Sequence, residues 1–328
     1  MKVTATLGTE SQYEIVTERV GLHDRSERGK LALSGPDAKE FLHGQVSQDI
    51  LSLTPGHGAY AALLTPKGKM LGDLRVLDAG PPSGELLLDT ERVALQALFN
   101  TIRRFSLGYS VQLHKRTLER GLLSLVGPLA DELVAACAQP PAAAEALGPQ
   151  EHDHAELTFA GVVLRAIRTD VGIDLLMDSP ELPRVRAAAL EAGAVAVDEA
   201  VLECLRIERG RPRYGVDLDE TVIPQEAGLN ERAVSFTKGC YVGQETVARL
   251  YYRGKPNREL RGLRSQRELP VGAELRFEGK SVGRISSATL SPRHGAIALA
   301  LVRREAPPGT VVQTDGHGEA VVCELPFR

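Results

Sequence analysis

The residue pattern of the chain changes at about Arg258, and this change constrains the fold more than any other sequence feature. From there to the end, apolar and polar residues alternate in the runs RELRGLRS, AELRFEGKSVGRISSATLS, AIALALVRRE and TVVQTDGHGEAVVCEL, which are separated by glycines and prolines. Short alternating strands of this kind are typical of a small β-barrel or sandwich. We place the boundary near residues 252–257, so that residues 253–328 are predicted to form a C-terminal β-barrel domain.

Before this boundary, helical and strand patterns alternate, which predicts an α+β fold. With 328 residues, the chain is too long for one typical core. Residues 35–53 open with Gly-Pro-Asp and carry apolar residues at roughly helical spacing. GAYAALLTPKGKMLGDLRVL predicts two strands joined by a turn at residues 65–68. The strand ELLLD and a helix over residues 90 to about 104 are predicted to follow.

Composition and charge exclude several classes of protein. No window approaches 18 unbroken apolar residues, so we expect no transmembrane helix. The start, MKVTATLGTESQYEIV, lacks the apolar segment of a signal peptide, which favours the cytoplasm. A net charge of -4 gives no global attraction to nucleic acid. The cysteines are too far apart for a disulfide framework or a zinc site; they are Cys137, Cys204, Cys240 and Cys323.

Residues 138–155, AQPPAAAEALGPQEHDHA, lack any apolar period and are predicted to form a surface loop. The run His152-Asp153-His154 has the residue types of a metal site. Loops of mixed charge are common, however, and we expect no metal here.

The segment DEAVLECLRIERG, residues 198–210, predicts a helix with an aspartate at its start and a glycine at its end. Glu208 falls on the same face as the apolar Val201 and Leu205. Cys204 beside them is predicted to be a core thiol. A buried carboxylate needs a partner. That partner is either a core-facing arginine, such as Arg211 or Arg213, or a polar ligand in an apolar pocket.

Cys240 lies in SFTKGCYVGQE, two residues after Lys238 and just before the predicted helix GQETVARLYYR. A lysine and a helix N-terminus both favour the thiolate form of a nearby cysteine. The residue is therefore either a reactive thiol or a small residue packed beneath the helix.

KGCYVGQE, preceded by LRIERGRPRYGVDLDETVIPQEAGLN and followed by ARLYYRGKPNREL, resembles the signature of the folate-binding YgfZ family. That family is related to the glycine cleavage T-protein, a tetrahydrofolate-dependent aminomethyltransferase. The resemblance implies three domains in a ring around a folate pocket, with a split ferredoxin-like element and a C-terminal barrel. Residues 1–252 would then be a folate-binding region of two interleaved α+β subdomains.

The resemblance also implies roles for individual residues. Glu208 matches the carboxylate that binds the pterin ring, while Tyr60 and Asp73 match positions that border the folate. Lys238 falls about where the aminomethyltransferases carry a folate-contacting basic residue, whereas Cys240 has no counterpart there and marks the YgfZ branch. Cys240 would act as a thiolate, with its pKa lowered by Lys238, in a role that supports iron–sulfur cluster assembly or repair, and thereby tRNA modification. The cofactor would be tetrahydrofolate or a derivative, and the partners iron–sulfur proteins or their assembly factors.

One departure separates the branches of this superfamily. The aminomethyltransferases carry a consecutive pair of acids, DDL, where this chain has Gly72-Asp73-Leu74. With only the second acid present, we expect aminomethyl transfer to be the alternative rather than the leading function.

Two basic clusters allow a third hypothesis, direct RNA binding. Arg103, Arg104, His114, Lys115 and Arg116 form one cluster, and Arg249, Arg253, Lys255, Arg258, Arg261 and Arg264 form the other. Tyr251 and Tyr252 lie within the second. Such a patch could bind RNA phosphates or a polyglutamate tail, although charged faces with interleaved acids are usually only solvated.

Overall fold

The computed structural model describes residues 8–316 and 318–328. Its helices are α1 (Thr9–Glu18), α2 (Ala38–Gln45), α3 (Leu95–Phe105), α4 (Ala130–Cys137), α5 (Leu182–Glu191), α6 (Glu199–Glu208), α7 (Asn230–Ala233) and α8 (Gln244–Arg253). Its strands are β1 (Gly21–Asp24), β2 (Gly29–Ser34), β3 (Gly58–Leu64), β4 (Met70–Asp78), β5 (Leu86–Thr90), β6 (Gln112–Lys115), β7 (Arg120–Val126), β8 (His154–Phe159), β9 (Val162–Arg168), β10 (Gly172–Asp178), β11 (Val195–Ala196), β12 (Arg258–Ser265), β13 (Glu274–Phe277), β14 (Lys280–Ser291), β15 (Gly295–Arg303), β16 (Val311–Thr314) and β17 (Gly318–Cys323).

The first sheet has the antiparallel order β3-β4-β5-β2-β6. The predicted hairpin is confirmed, because β3 and β4 pair around a turn closed by a hydrogen bond from the Gly68 amide to the Thr65 carbonyl (2.8 Å). The core beneath this sheet contains residues of α2, α3 and the later segment 214–247. The chain therefore returns to the first sheet after building the second.

Two helix predictions differ from the structure at their ends. The predicted helix at residues 35–53 ends at Gln45, because Val46 bridges to Leu63 and the Ser47 amide donates to the Ala62 carbonyl. The helix predicted from residue 90 begins at Leu95. Thr90 stays in the sheet, where its hydroxyl donates to the Asp73 carbonyl (2.5 Å).

The second sheet has the order β11-β1-β7-β10-β9-β8. Its pairs are antiparallel except for the short parallel pair of β1 and β11. Helices α4 and α5 contribute to its core. The patternless segment before β8 contains a 3-10 turn, Pro141–Ala146, and its last residues reach the first sheet, where the His154 amide donates to the Gly56 carbonyl (2.8 Å).

The C-terminal strands close into a six-stranded barrel in the order β12-β15-β14-β13-β16-β17, with its own apolar core. The prediction of a small β-barrel is confirmed. Helix α6 packs between α1 and the barrel strands β14 and β15. Among the residues that the structure describes, none of the helices has the length and apolarity needed to span a bilayer. Residues 1–7, where the N-terminal prediction of location begins, lie outside the described residues.

Candidate functional site

A cavity of about 230 Å³ lies where the two sheets and α6 meet. From the first sheet, β3 contributes Tyr60 and β4 contributes Asp73 and Arg75. Helix α6 contributes Leu202 and Glu203 from the opposite side. We call this space the central cavity. Its lining residues fall between Arg25 and Arg232 in the sequence, so the barrel strands support it without lining it.

The wall of the central cavity is charged but balanced, because eight arginines and eight carboxylates line it. Many of them pair with one another. The Arg213 guanidinium, for example, contacts the carboxylates of Glu199 and Glu203 at 2.7 Å each and that of Glu91 at 3.3 Å. Paired wall charges do not need a counter-ion, so this wall suits the polar, uncharged part of a ligand.

Asp89 is a wall carboxylate that forms two ion pairs. Its carboxylate contacts Arg28 at 2.6 Å and Arg75 at 2.5 Å. Burial opposes its ionisation, but the two guanidinium groups outweigh burial and hold the pKa of Asp89 well below its usual range. Arg75 also contacts Asp174 of the second sheet at 2.8 Å, which ties the two sheets together behind the cavity.

Asp73 is a carboxylate of the cavity wall whose pKa is raised, whereas that of Asp89 is lowered. It is buried, and the Tyr60 hydroxyl donates to its Oδ2 at 2.6 Å. Burial raises the pKa of Asp73 to about 6, although the hydrogen bond from Tyr60 lowers it and Glu91 nearby adds to the rise. A carboxylate that titrates near neutrality can accept and return a proton, which is what general acid–base chemistry requires. The structure thus brings the two predicted residues Tyr60 and Asp73 together at the cavity.

The missing first acid of the DDL pattern does not face the cavity. Successive side chains on β4 alternate between its two faces. Asp73 points to the cavity, so a side chain at residue 72 would point to α3. A Cβ atom at residue 72 would lie 2.3 Å from Leu98 Cδ1 and 2.9 Å from Ala94 Cβ. An acid there would be buried against α3, so its absence removes no group from the cavity. The geometry around residue 72 therefore gives the GDL sequence no weight against aminomethyl transfer.

Glu208 is buried as predicted, but it lies outside the central cavity. The Tyr13 hydroxyl donates to both of its carboxylate oxygens at 3.0 Å, and the Ser291 hydroxyl donates to Oε1 at 2.5 Å. Burial, with Glu208 beside it, raises the pKa of Tyr13 to about 12. Among the described residues, the partners of the Glu208 carboxylate are thus hydroxyl groups of α1 and the barrel and the Cys204 thiol (3.6 Å), rather than an arginine. Its contact with the pterin ring stays a prediction.

The opposite side of α6 faces the cavity instead, and it presents Glu199 and Glu203. The apolar face that led us to Glu208 packs on α1 and the barrel through Val201 and Cys204, while its Leu205 also borders the cavity. The helical pattern predicted both faces of α6 but could not show which of them borders the open space. Cys204 lies in the core, as predicted, with only 2% of its surface exposed.

The Lys238 ammonium group is held by backbone carbonyls of another segment. Its ammonium group donates to the backbone carbonyls of His43, Val46 (2.8 Å) and Gln48 (3.1 Å), just where α2 ends. Burial lowers the pKa of Lys238 to about 8. The lysine therefore satisfies carbonyl groups at the helix C-terminus. Its activation of Cys240 stays a prediction.

Cys240 is exposed and lies outside the cavity lining, so it is not packed beneath a helix. Helix α8 follows it, with Gly243 at the N-cap in the left-handed region (φ 85°). A Cβ atom at Gly243 would lie 2.5 Å from the Thr65 carbonyl oxygen. This glycine of the KGCYVGQE motif thus lets α8 approach the β3–β4 turn. The reactivity of Cys240 stays a prediction.

The three residues of the His152-Asp153-His154 run point to different partners. Asp153 Oδ1 lies 2.7 Å from His57 Nδ1, and Arg165 Nη1 lies 2.9 Å from His154 Nδ1. His152 alone lines the central cavity. Within residues 8–316 and 318–328, no group of His, Cys, Asp and Glu side chains has the arrangement of a metal site.

The second basic cluster is only partly available. Arg258 and Arg261 pair with the acids Glu226 and Glu259. The exposed part of this cluster lies on α8 and in the residues after it. There the Tyr251 ring stacks on the Phe236 ring with a centroid distance of 3.8 Å. This surface is separate from the cavity lining.

A mixed α/β chain with a central polar cavity and a C-terminal closed barrel has the aminomethyltransferase-like fold. Two family models match the chain. The model described as "GCVT N-terminal domain" matches residues 4–238, and the model described as "Glycine cleavage T-protein C-terminal barrel domain" matches residues 258–328. The chain belongs to this glycine cleavage T-protein family, whose aminomethyltransferases bind tetrahydrofolate derivatives.

Similar proteins agree with this assignment. An aminomethyltransferase of Rubrobacter xylanophilus is 30% identical over 97% of this chain and 83% of its own length. A putative chloroplast transferase of Arabidopsis thaliana is 26% identical over 93% of this chain and 70% of its own length. The crystal structure of the glycine cleavage system aminomethyltransferase T of Bartonella henselae has a TM-score of 0.85 and 24% identity, and covers 98% of this chain and 90% of that one. This structural likeness supports the fold.

Proposed function

We propose that the chain binds a tetrahydrofolate derivative in the central cavity and catalyses folate-dependent one-carbon transfer as an aminomethyltransferase. The observation that carries this proposal is Asp73, a buried carboxylate at the cavity wall with a pKa of about 6 and a hydrogen bond from Tyr60. The curated aminomethyltransferases that match almost the whole chain support it. We further propose that residues 1–252 are the folate-binding region and residues 253–328 the barrel domain, since the cavity lining ends at Arg232.

The residues of the cavity fit a polar, ring-containing ligand. Arg25 and Arg75, which line it, each carry a buried Nε with no hydrogen-bond partner among the described residues. These N–H donors and the balanced wall charges leave hydrogen-bonding capacity that the protein does not use itself. Tyr60 adds an aromatic ring at the wall. A folate has both the acceptor atoms and the flat rings to match.

When bound, the folate would supply an amine that takes the one-carbon unit from an aminomethyl donor; as the new C–N bond forms, the bond from that carbon to the donor's amino group breaks and ammonia leaves. In its ionised form, the Asp73 carboxylate accepts the proton of that amine, and Tyr60 holds the carboxylate in position through its hydroxyl group. The ion pairs of Asp89 keep the neighbouring wall rigid. Burial keeps Asp73 away from water, so that its proton affinity matches neutral pH.

The test is one-carbon transfer to tetrahydrofolate by purified wild type, Asp73→Asn and Cys240→Ala proteins. Asp73→Asn should lower kcat by about 10²- to 10⁴-fold, which is the usual worth of a general base. Cys240→Ala, the matched control, should retain kcat within about twofold because Cys240 lies outside the cavity lining. A loss of turnover in Cys240→Ala, with Asp73→Asn unaffected, would overturn the proposal.

The exposure of Cys240 favours a second candidate function. If the chain belongs to the YgfZ branch of the superfamily, it binds tetrahydrofolate and supports iron–sulfur cluster assembly or repair, and thereby tRNA modification, through the Cys240 thiolate. The cysteine lies exposed within KGCYVGQE, accessible to another protein. A single thiolate cannot hold a cluster alone, so a partner would have to supply the remaining ligands.

The measurement for this candidate is the pH dependence of Cys240 alkylation in a variant whose other three cysteines are replaced by serine. A thiol that titrates well below the free-cysteine value of about 8.5 would support it. A slow thiol with an ordinary titration would leave one-carbon transfer as the function. Direct RNA binding, the third hypothesis, predicts affinity that falls steeply with salt and is lost on charge reversal of Arg253.

A further inference from the structure

His152 is a cavity residue that the sequence did not identify. It comes from the segment before β8 in the second sheet, yet it lines the central cavity beside Tyr60 of the first sheet. Its backbone is fixed, because its amide donates to the Arg168 carbonyl at 2.9 Å. Its φ angle of 75° lies in the left-handed region, which is uncommon for a residue other than glycine and costs conformational free energy.

The imidazole ring of His152 forms no hydrogen bond with the residues that the structure describes. Its Nδ1 is buried and has no partner among the described residues. Its Nε2 lies 3.7 Å from Glu151 Oε1, which is too long for a hydrogen bond. That carboxylate oxygen is already engaged by Arg232. Polar atoms left unpaired in a protein interior are costly, so they call for an explanation such as a ligand.

The charge state of the ring determines what it can offer. Burial, together with Arg75 and Arg232, lowers the pKa of His152 to about 3, so the ring is neutral near pH 7. A neutral imidazole carries one hydrogen. Because Nδ1 has no hydrogen-bond partner among the described residues, we place the single ring hydrogen on Nε2. The ring thus provides an N–H donor without adding a charge to the balanced cavity wall.

The surroundings of the ring suit a flat partner. The Tyr60 and His152 rings lie 6.4 Å apart between centroids, with 29° between their planes. The Arg232 guanidinium lies 5.2 Å from the Tyr60 ring centroid. Aromatic and guanidinium faces stack on planar heterocycles, and a donor at the ring edge adds direction to such contacts.

We propose that His152 is a ligand-binding residue of the central cavity, whose Nε2–H donates a hydrogen bond to an acceptor atom of a planar heterocycle held beside Tyr60. This inference rests on the proposed function, since the heterocycle would be the ring system of a tetrahydrofolate derivative. It adds a specificity contact from the second sheet to a site otherwise built around Asp73 of the first.

The test is calorimetric titration of tetrahydrofolate into the full-length protein and its His152→Phe variant, which keeps a ring but loses both nitrogens. We expect the Kd to rise about 5- to 50-fold, the usual loss for one buried hydrogen bond. Without ligand, the Tm should change by no more than about 3 °C, because the ring makes no hydrogen bond to any described residue. A structural role would instead lower the Tm of the ligand-free protein and leave the Kd unchanged.

His154→Phe is the matched control, because His154 is also buried and also carries a nitrogen without a partner, but does not line the cavity. Its Kd should stay within about twofold of wild type. His152→Asn serves if the phenylalanine variant does not fold, since asparagine adopts left-handed backbone readily. A folded His152 variant with the wild-type Kd would overturn the inference and leave the proposed function intact. A wild-type protein that does not bind tetrahydrofolate would overturn the proposed function itself.

Discussion

At the scale of single residues, the central cavity depends on the pair formed by Tyr60 and Asp73. Burial raises the pKa of Asp73, while the hydrogen bond from Tyr60 opposes this rise, and the balance leaves the pKa at about 6. The sequence identified both residues through the family resemblance. It missed His152, because that residue lies in a segment without periodicity and reaches the cavity only through the packing of the two sheets.

Removing the Tyr60 hydroxyl should change the pH dependence of catalysis in a defined direction. In the wild type, kcat/KM should rise with pH through about 6, since only ionised Asp73 can act as a base. Tyr60→Phe removes the bond that lowers the pKa of Asp73, so this acid limb should move to higher pH. At pH 6, kcat/KM should fall about 3- to 10-fold, with a smaller loss at pH 8. An acid limb that stays in place or moves to lower pH would show that Asp73 is not the titrating base.

At the scale of elements, strand β4 and helix α6 each carry some side chains that line the central cavity and others that pack on neighbouring elements. The alternation of β4 places Asp73 in the cavity and Gly72 against α3. In α6, Val201 and Cys204 pack on α1 and the barrel, Glu199 and Glu203 line the cavity, and Leu205 borders both. Local patterns predicted the hairpin and the helix correctly, because turn and helix chemistry act over a few residues. They could not decide which face meets a ligand, since that depends on distant elements.

Restoring the acid pair with Gly72→Asp should destabilise the protein rather than improve catalysis. The new side chain would collide with Leu98 and bury a carboxylate against α3. We expect a loss of about 3–5 kcal/mol in the free energy of unfolding, from overpacking and the burial of a charge. Urea unfolding measures this directly. Gly44→Asp is the control, because a Cβ atom at Gly44 meets nothing within 4 Å. Equal stability of Gly72→Asp and wild type would show that residue 72 does not pack on α3.

At the scale of the whole molecule, the barrel and the cavity are joined by one buried polar network. The Asp217 carboxylate accepts hydrogen bonds from Arg206 of α6 at 2.6 Å and from Ser287 of the barrel at 2.7 Å. Arg206 lines the central cavity on its other side. The closed barrel was predictable from its alternating strands, whereas this link was not, because it joins residues far apart in the sequence.

Breaking this link should affect stability and ligand binding together. Asp217→Ala leaves the buried Arg206 guanidinium with fewer partners, which should cost about 3–5 kcal/mol in the free energy of unfolding. It should also weaken tetrahydrofolate binding, because Arg206 forms part of the wall. Asp219 is the control, because it is exposed and its side chain bonds Thr221 alone among the described residues. Asp219→Ala should change stability by less than about 1 kcal/mol. If both variants unfold at the same denaturant concentration, the barrel is not held by Asp217.

The central claim is that tetrahydrofolate binds in the central cavity, and blocking the cavity tests it most directly. Leu202 lines the cavity from α6, so Leu202→Trp should fill part of its volume of about 230 Å³. Leu118, which is 87% exposed and outside the lining, provides the control Leu118→Trp. By calorimetric titration, wild type and Leu118→Trp should bind one tetrahydrofolate with the same Kd, and Leu202→Trp should bind at least about 20-fold more weakly. Wild-type affinity in a folded Leu202→Trp protein would place the folate elsewhere and contradict the account.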